Sequence, residues 1–208
     1  MSIKAIVFDY GEVICFAPVD TVREELARLA GLPVEEFDAL RWRYRPEFDR
    51  GTLNGREYYR LVTTKAGLSL PDAALDKMAE TDVAGWTRMD EGTVSLMRDI
   101  KAAGFKLGIL SNMPWDFLTM ARRTGLPVLK LFDAAIFSCE LGVIKPEPAI
   151  YQALIAAVGC DPAEIVFFDD VKANVDGALA LGIKAYLWKD ADTARSELLG
   201  LGISVQRG

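Results

Sequence analysis

The feature that most constrains the fold is a set of five short apolar runs rich in β-branched and aromatic residues. These runs are KAIVF (residues 4–8), KLGIL (106–110), AAIF (134–137), EIVFF (164–168) and KAYLW (184–188). Runs that are apolar at nearly every position are typical of strands buried on both faces. Because helical patterns separate the later runs, the sequence predicts an α/β fold with a parallel sheet and crossover helices.

The stretch between the first and second runs contains no convincing strand. It holds four helical patterns: DTVREELARLAG, VEEFDALRWRYRPEF, NGREYYRLVTTKAG and PDAALDKMAET. Each begins with a capping-type residue or a proline signal, and glycines separate them, so a bundle of about four helices is expected. The predicted organisation is a core formed by residues 1–17 and 87–208, with residues 18–86 inserted as a helical domain.

The 208 residues include no histidine. This absence excludes Ser-His-Asp and Cys-His catalysis, histidine metal sites and imidazole acid–base chemistry. The three cysteines are widely spaced with no C-x-x-C motif, which indicates free thiols and no zinc site. Any catalysis must therefore rest on Asp, Glu, Lys, Ser and a hard metal ion.

Charge and hydropathy exclude several partner classes. The chain has 24 basic and 30 acidic residues and a pI near 4.9, so it has no general basic field for nucleic acid or anionic membranes. No apolar run approaches the ~18 residues of a membrane span, and the N-terminus becomes acidic too early for a secretory signal. We expect a cytoplasmic protein, monomeric or homodimeric, without nucleic-acid or membrane partners.

Polar side chains follow the predicted strands where each strand ends. They are Asp9 after the first run, Ser111 and Asn112 after the second, Lys145 in the loop beyond the third, and Asp169 and Asp170 after the fourth. Singly, each is more often a turn residue or a helix cap. Ligands of open parallel sheets bind beyond the carboxyl ends of the strands, so the set together predicts one site.

The chemistry of such a site can be argued from its residue types. A carboxylate such as Asp9 can attack a phosphate ester and form an aspartyl phosphate. Two anions repel, so a hard cation such as Mg²⁺ is needed, and Asp9 with Asp170 offers the oxygen ligands it prefers. The Lys145 ammonium and the Ser111 hydroxyl would neutralise the transferred group.

Four segments, FDYGEVI, LSN, GVIKPEPAIY and VFFDDVKANVDGA, resemble in this order the motifs of the haloacid dehalogenase-like hydrolase superfamily. The resemblance covers the whole chain. It implies a Rossmann-like core in which residues 18–86 form a helical C1-type cap, and it implies a small phosphorylated metabolite as the partner. FDYGEVI and LGVIKPEPAIYQ also look close to a bacterial glucose-1-phosphate phosphatase subgroup with Gly at the same place in its first motif.

The resemblance also implies roles for individual residues. Asp9 matches the nucleophile, Ser111 the hydroxyl that binds the transferred phosphoryl group, and Lys145 the lysine that orients both. Asp170 matches a magnesium ligand, and the backbone carbonyl of Gly11 would be another beside Asp9.

Two further positions match supporting residues of the family. Asp169 would not bind the metal directly but would lie next to the residues that do and hold them in place. Asn174, in the DDxxxN spacing, would hold Lys145 or the metal's waters.

The departure from the family pattern lies at Gly11, where most phosphatases of the superfamily have a second Asp. Losing this general acid and base costs a factor of roughly 10² to 10⁴ in rate, or ~3 to 5 kcal/mol of barrier. Glu12 is one residue further along. It would point away from the site in an extended segment, although a tight turn would weaken that objection.

Several functions remain open from the sequence. A magnesium-dependent phosphatase acting on a good leaving group, such as a sugar 1-phosphate, would tolerate Gly11. A 2-haloacid dehalogenase needs no proton for its leaving group, but the Asp169–Asp170 pair is typical of a metal site. A non-catalytic member that binds a phosphorylated ligand is a third possibility. Phosphonate hydrolysis would need a cap lysine, for which Lys65 and Lys77 are candidates.

The segment ALRWRYRPEFDRG is the candidate for substrate specificity. Aromatic faces and guanidinium groups suit sugars and anions, so Trp42, Arg43 and Arg45 are expected to bind substrate together with Asn112. Alternate side chains of a helix face opposite sides, so some of them would instead pack within the helical domain or remain solvated. One of the two arginines is expected to reach the site.

Overall fold

The computed structural model describes residues 2–205, and its core is a five-stranded parallel sheet with the order β3-β2-β1-β4-β5. The strands are β1 (Ala5–Phe8), β2 (Lys106–Ser111), β3 (Ala134–Phe137), β4 (Ile165–Asp169) and β5 (Lys184–Leu187). Each of the five predicted runs forms one strand. The predicted α/β class with a Rossmann-like parallel sheet is therefore confirmed.

The register of the sheet brings the carboxyl ends of its central strands together. Phe8, the last residue of β1, pairs with Ile109 of β2 on one side and with Phe168 of β4 on the other. The backbone N–H of Asp9 donates a hydrogen bond to the Phe168 carbonyl at 2.9 Å. The residues that follow β1, β2 and β4 consequently meet at one edge of the sheet.

Helices cover both faces of the sheet. They are α5 (Glu91–Ala102), α6 (Trp115–Thr124), α7 (Ser138–Leu141), α8 (Pro148–Val158), α9 (Lys172–Ala180) and α10 (Ala191–Gly200). Successive side chains of a strand point to opposite faces. Ile6 and Phe8 accordingly join the apolar core beneath α5, α6 and α10, whereas Ala5 and Val7 join the core beneath α8 and α9.

Four helices lie between β1 and α5. They are α1 (Asp20–Ala30), α2 (Val34–Asp49), α3 (Gly55–Lys65) and α4 (Asp72–Gly85), which we call the four-helix unit. The unit has an apolar cluster of its own, which includes Phe37, Tyr58, Tyr59 and Met78. Asn54 starts α3 with a capping box, because its side chain accepts from the N–H of Glu57 and the Glu57 carboxylate accepts from the N–H of Asn54.

Within residues 2–205, none of the helices combines the length and the apolar character that a membrane crossing requires.

Candidate active site

The residues that follow β1, β2 and β4 surround one small cavity at the carboxyl edge of the sheet. Asp9, Gly11, Ser111 and Asn112 line it from the core side, and its volume is about 100 Å³. Ser111 is 2% exposed, and its hydroxyl makes no hydrogen bond with the described residues. The hydroxyl is therefore available to a ligand beside the Asp9 carboxylate.

Lys145 lies at the centre of this arrangement with its side chain fully buried. Its ammonium is 2.8 Å from Oδ1 of Asp9 and 2.7 Å from Oδ2 of Asp169, and it donates to the Leu110 carbonyl at 2.9 Å. Burial alone would lower the pKa of Lys145, but the two carboxylates reverse the effect and raise it. The lysine is thus a fixed cation between two acids.

Asn112 holds the backbone of Lys145 in place. Its side-chain amide donates to the Lys145 carbonyl at 3.1 Å, and its Oδ1 accepts from the Lys145 N–H at 2.7 Å. Asn112 was expected to bind substrate. It lines the cavity, and one N–H and the Oδ1 of its amide also position the backbone of the lysine.

Asn174 and Asp169 form the support behind the lysine. The Asn174 amide donates to both carboxylate oxygens of Asp169, at 3.0 and 3.2 Å, and the Val171 N–H donates to Oδ1 at 2.8 Å. Asp169 is fully buried. Asn174 therefore acts on Lys145 through Asp169, without the direct contact that was one of its two expected roles.

Three carboxylates converge next to Lys145. Oxygens of Asp9, Asp169 and Asp170 lie within 4.8 Å of one another. Burial raises the pKa of Asp9, although the positive charge of Lys145 opposes this effect. Burial, together with the negative charges of Asp169 and Glu12, raises the pKa of Asp170 to about 6. One lysine cannot balance three acids, so the donor set fits a hard divalent cation such as Mg²⁺.

A side chain at position 11 would press on Trp86. A Cβ atom at this position would lie 3.2 Å from Cζ3 of Trp86, which follows α4. The hydroxyl of Tyr10 donates to the Trp86 carbonyl at 2.9 Å and fixes the backbone of Trp86 beside the loop that follows β1. An aromatic ring therefore packs against Gly11, where most phosphatases of the family have a second Asp.

Glu12 lies in a turn and does not line the cavity. Its φ is 58°, in the left-handed region, and the turn is closed by a hydrogen bond from the Ile14 N–H to the Tyr10 carbonyl at 2.9 Å. The side chain is exposed, and its charge acts on Asp170. Glu12 therefore lies near Asp170 and outside the cavity.

The four-helix unit closes the cavity from above with Trp42 and Arg45. The Arg45 guanidinium is neutralised by Asp49, at 2.7 Å, and by Asp82, at 3.2 Å. Arg43, expected to be near the substrate, is exposed, lies 5.7 Å from the centre of the Tyr44 ring and does not line the cavity. On a helix Arg43 and Arg45 face different sides, which is the reason that only one of them reaches the site.

The two lysines considered for phosphonate chemistry also lie outside the cavity. Lys65 and Lys77 are both exposed on the four-helix unit.

Asp49, Asp82 and Trp86 are among the cavity residues that were not predicted from the sequence. Asp49 stands four residues after Arg45, a spacing that brings the two side chains together on a helix and could have indicated the pair. Asp82 and Trp86 are brought to the cavity by the packing of α4, for which the sequence carries no local signal.

Comparison with known proteins defines the family. Residues 3–182 match the model of the haloacid dehalogenase-like hydrolases. The chain is 28% identical over 193 residues to phosphatase MT3486 of Mycobacterium tuberculosis (strain CDC 1551 / Oshkosh), covering 90% of this chain and 88% of that protein. It is 30% identical over 190 residues to (S)-2-haloacid dehalogenase 1 of Pseudomonas sp. (strain CBS-3), covering 86% and 82%.

A solved structure shows the same fold. The HAD family enzyme bt-2542 of Bacteroides thetaiotaomicron, in complex with magnesium and inorganic phosphate, superposes with a TM-score of 0.73 at 22% identity, covering 91% of this chain and 96% of that one. Together with the match of the family model over most of the chain, this places the protein in the haloacid dehalogenase-like hydrolase family.

Proposed function

We propose that the protein is a magnesium-dependent phosphatase that hydrolyses a small phosphomonoester through an aspartyl phosphate on Asp9. The observation that carries the proposal is the position of Lys145, whose buried ammonium contacts the Asp9 nucleophile and Asp169 beside a cluster of three carboxylates. A fixed cation and an acidic metal site next to a carboxylate nucleophile are the parts that phosphoryl transfer needs.

Each residue at the carboxyl edge has a role in this reaction. The Asp9 carboxylate attacks phosphorus, and the Lys145 ammonium lowers the repulsion between the carboxylate and the incoming anion. The free Ser111 hydroxyl donates to an oxygen of the transferred group. Asp9, Asp170 and the carbonyl of Gly11 would hold Mg²⁺, which supplies positive charge to the phosphoryl oxygens when bound.

We also propose that residues 18–86 act as a C1-type cap over a core of residues 1–17 and 87–208. The separate apolar cluster of the four-helix unit supports this division. The unit supplies Trp42 and Arg45 to the roof of the cavity. A volume of about 100 Å³ favours a small substrate, and the proposal of a sugar phosphate rests on the resemblance to glucose-1-phosphate phosphatases.

We place this activity in the cytoplasm. Support comes from Cys15, Cys139 and Cys160, all of which are free thiols, as is usual in a reducing compartment.

A second candidate function is 2-haloacid dehalogenation. It is favoured by the glycine at position 11, because displacement of halide from carbon needs no proton, and by the 30% identity to a 2-haloacid dehalogenase. The carboxylate cluster is the observation against it, since a dehalogenase of this family needs no metal.

Phosphate release tests the proposal directly. Inorganic phosphate would be measured from p-nitrophenyl phosphate and a panel of sugar phosphates, with Mg²⁺ and with EDTA. Activity is expected to require Mg²⁺ and to disappear in Asp9→Asn, while Asp20→Asn, a change at an exposed carboxylate on α1, retains it. Halide release from 2-chloropropionate without phosphate release from any ester would overturn the proposal in favour of the second candidate.

A further inference from the structure

Asp49 shares the cavity with Asp9 although it belongs to the four-helix unit. It is the last residue of α2, and its backbone carbonyl accepts a hydrogen bond from the hydroxyl of Ser138 at the start of α7. This bond ties the end of α2 to the core. Asp49 is therefore tied to the core at its backbone and lines the same cavity as Asp9.

The hydrogen bonds of Asp49 leave one carboxylate oxygen free. Its Oδ1 accepts from Nε of Arg45 at 2.7 Å, whereas its Oδ2 accepts from none of residues 2–205. The other carboxylate in the roof, Asp82, is fully engaged. Its Oδ1 accepts from Arg41 and Trp86, and its Oδ2 accepts from Arg45. Of the two, only Asp49 has an oxygen that a substrate can reach.

Charged and titratable groups face Asp49 from several elements. They are Arg45 on α2, Tyr58 on α3, Asp82 on α4, Cys139 on α7 and Lys145 in the loop before α8. Burial raises the pKa of Asp49, the positive charges of Arg45 and Lys145 lower it, and the negative charge of Asp82 raises it further. The resulting pKa of Asp49 is about 6. A carboxyl group with such a pKa can both give and take a proton near neutral pH.

We propose that Asp49 is the general acid and base of the reaction, supplied by the four-helix unit in place of the acid that Gly11 cannot provide. The proposal rests on the phosphatase function proposed above. It accounts for two observations together: the indole of Trp86 fills the space beside Gly11, and a carboxylate with a free oxygen lines the roof of the same cavity.

The two chemical steps balance with Asp49 in this role. In the first step, a carboxylate oxygen of Asp9 bonds to phosphorus as the bond from phosphorus to the ester oxygen breaks, and that oxygen takes the proton of Asp49. In the second step, a water oxygen bonds to phosphorus as the bond to Asp9 breaks, and the proton of the water returns to Asp49. The enzyme ends as it began, with alcohol and phosphate released.

The dependence of the rate on the leaving group separates this role from a structural one. In the variant Asp49→Asn, kcat/KM is measured for p-nitrophenyl phosphate and for alkyl and sugar phosphates. The p-nitrophenolate ion leaves without a proton, so its kcat/KM is expected to change by less than about threefold. Esters of ordinary alcohols are expected to lose roughly 10²- to 10⁴-fold, which is the usual contribution of a general acid.

Asp82→Asn is the matched control, because it removes the other carboxylate that pairs with Arg45 in the roof. Because the charge of Asp82 also raises the pKa of Asp49, the control is measured on the acid side of the pH profile, where it is expected to change kcat/KM for both classes of ester by a similar factor. Asp49→Glu, which keeps an acid, is expected to regain part of the alkyl-ester rate. An equal loss for both classes of ester in Asp49→Asn would overturn the role of Asp49 and leave the phosphatase function intact.

The wild-type protein gives an independent readout that no folding defect can obscure. Its kcat/KM for alkyl phosphates is expected to fall as the pH rises above the pKa of Asp49. Its kcat/KM for p-nitrophenyl phosphate is expected to show no such fall, because that leaving group needs no proton. Profiles of the same shape for both esters would overturn the role of Asp49. Absence of phosphate release from every ester would instead refute the phosphatase function itself, and the role of Asp49 with it.

Discussion

Replacing Lys145 with methionine tests whether the lysine balances the acids of the site. Methionine keeps most of the volume of the buried stem and removes the charge. The change deletes contacts at 2.8 Å to Asp9, 2.7 Å to Asp169 and 2.9 Å to the Leu110 carbonyl, at a side chain with no exposed surface. Asp9 and Asp169 would be left as neighbouring buried carboxylates without a counter-ion.

Removing one partner of a buried charge pair costs about 3 to 5 kcal/mol. For a chain of this size, that loss corresponds to a fall in melting temperature of roughly 6 to 20 °C. The measurement is urea unfolding in EDTA at pH 8, which keeps metal ions from replacing the lysine. Lys172→Met is the matched control, since its ion pair with Asp176 is mostly exposed and is expected to contribute less than about 1 kcal/mol.

The pH dependence of the Lys145→Met defect gives the sharper test. Burial already raises the pKa of Asp9 in the folded state, and losing Lys145 removes a charge that lowers it. The ionised form is therefore the destabilised one, so the defect is greatest above the folded-state pKa and shrinks as the pH falls and Asp9 takes up a proton. A loss below about 1 kcal/mol at pH 8, or a loss of equal size at pH 5, would refute the reasoning.

Two further predictions concern the loop after β1 and the metal ligands. Gly11→Asp is expected to destabilise the fold by about 1 to 3 kcal/mol, because its Cβ would press on Trp86. In a urea-unfolding double-mutant cycle with Trp86→Ala the two losses should not add, and additivity within about 0.5 kcal/mol would show that the contact is unimportant. Mg²⁺ affinity, measured by calorimetry, is expected to weaken by up to about tenfold per pH unit below about 6, where Asp170 takes up a proton. An affinity unchanged between pH 7.5 and pH 5 would exclude Asp170 as a ligand.

The sheet and its site edge were predictable because both depend on local patterns. A strand buried on two faces must be apolar throughout, so runs such as AIVF and IVFF mark the sheet without any tertiary information. The first polar residue after such a run then falls at the carboxyl edge. Asp9, Ser111 and Asp169 could therefore be predicted to lie together from the sequence alone.

The roles of residues around that edge were less predictable. Asn112 follows a strand as the site residues do, but its partner is the backbone of Lys145, 33 positions away. The choice between Arg43 and Arg45 depended on how α2 is rotated against the core, which the sequence does not state. Asp49 and Trp86 reach the cavity only because the four-helix unit packs onto the sheet edge.

Exchange of oxygen between water and inorganic phosphate tests the central claim, that Asp9 carries the phosphoryl group, without knowledge of the physiological substrate. Formation of the aspartyl phosphate from phosphate, followed by its hydrolysis, replaces one phosphate oxygen with one from water. With Mg²⁺ and ¹⁸O-labelled water, mass spectrometry of the phosphate is expected to show label with the wild-type protein and none with Asp9→Asn or with EDTA. Phosphate that stays unlabelled with the wild-type protein and Mg²⁺, or label that enters equally with Asp9→Asn, would contradict the account.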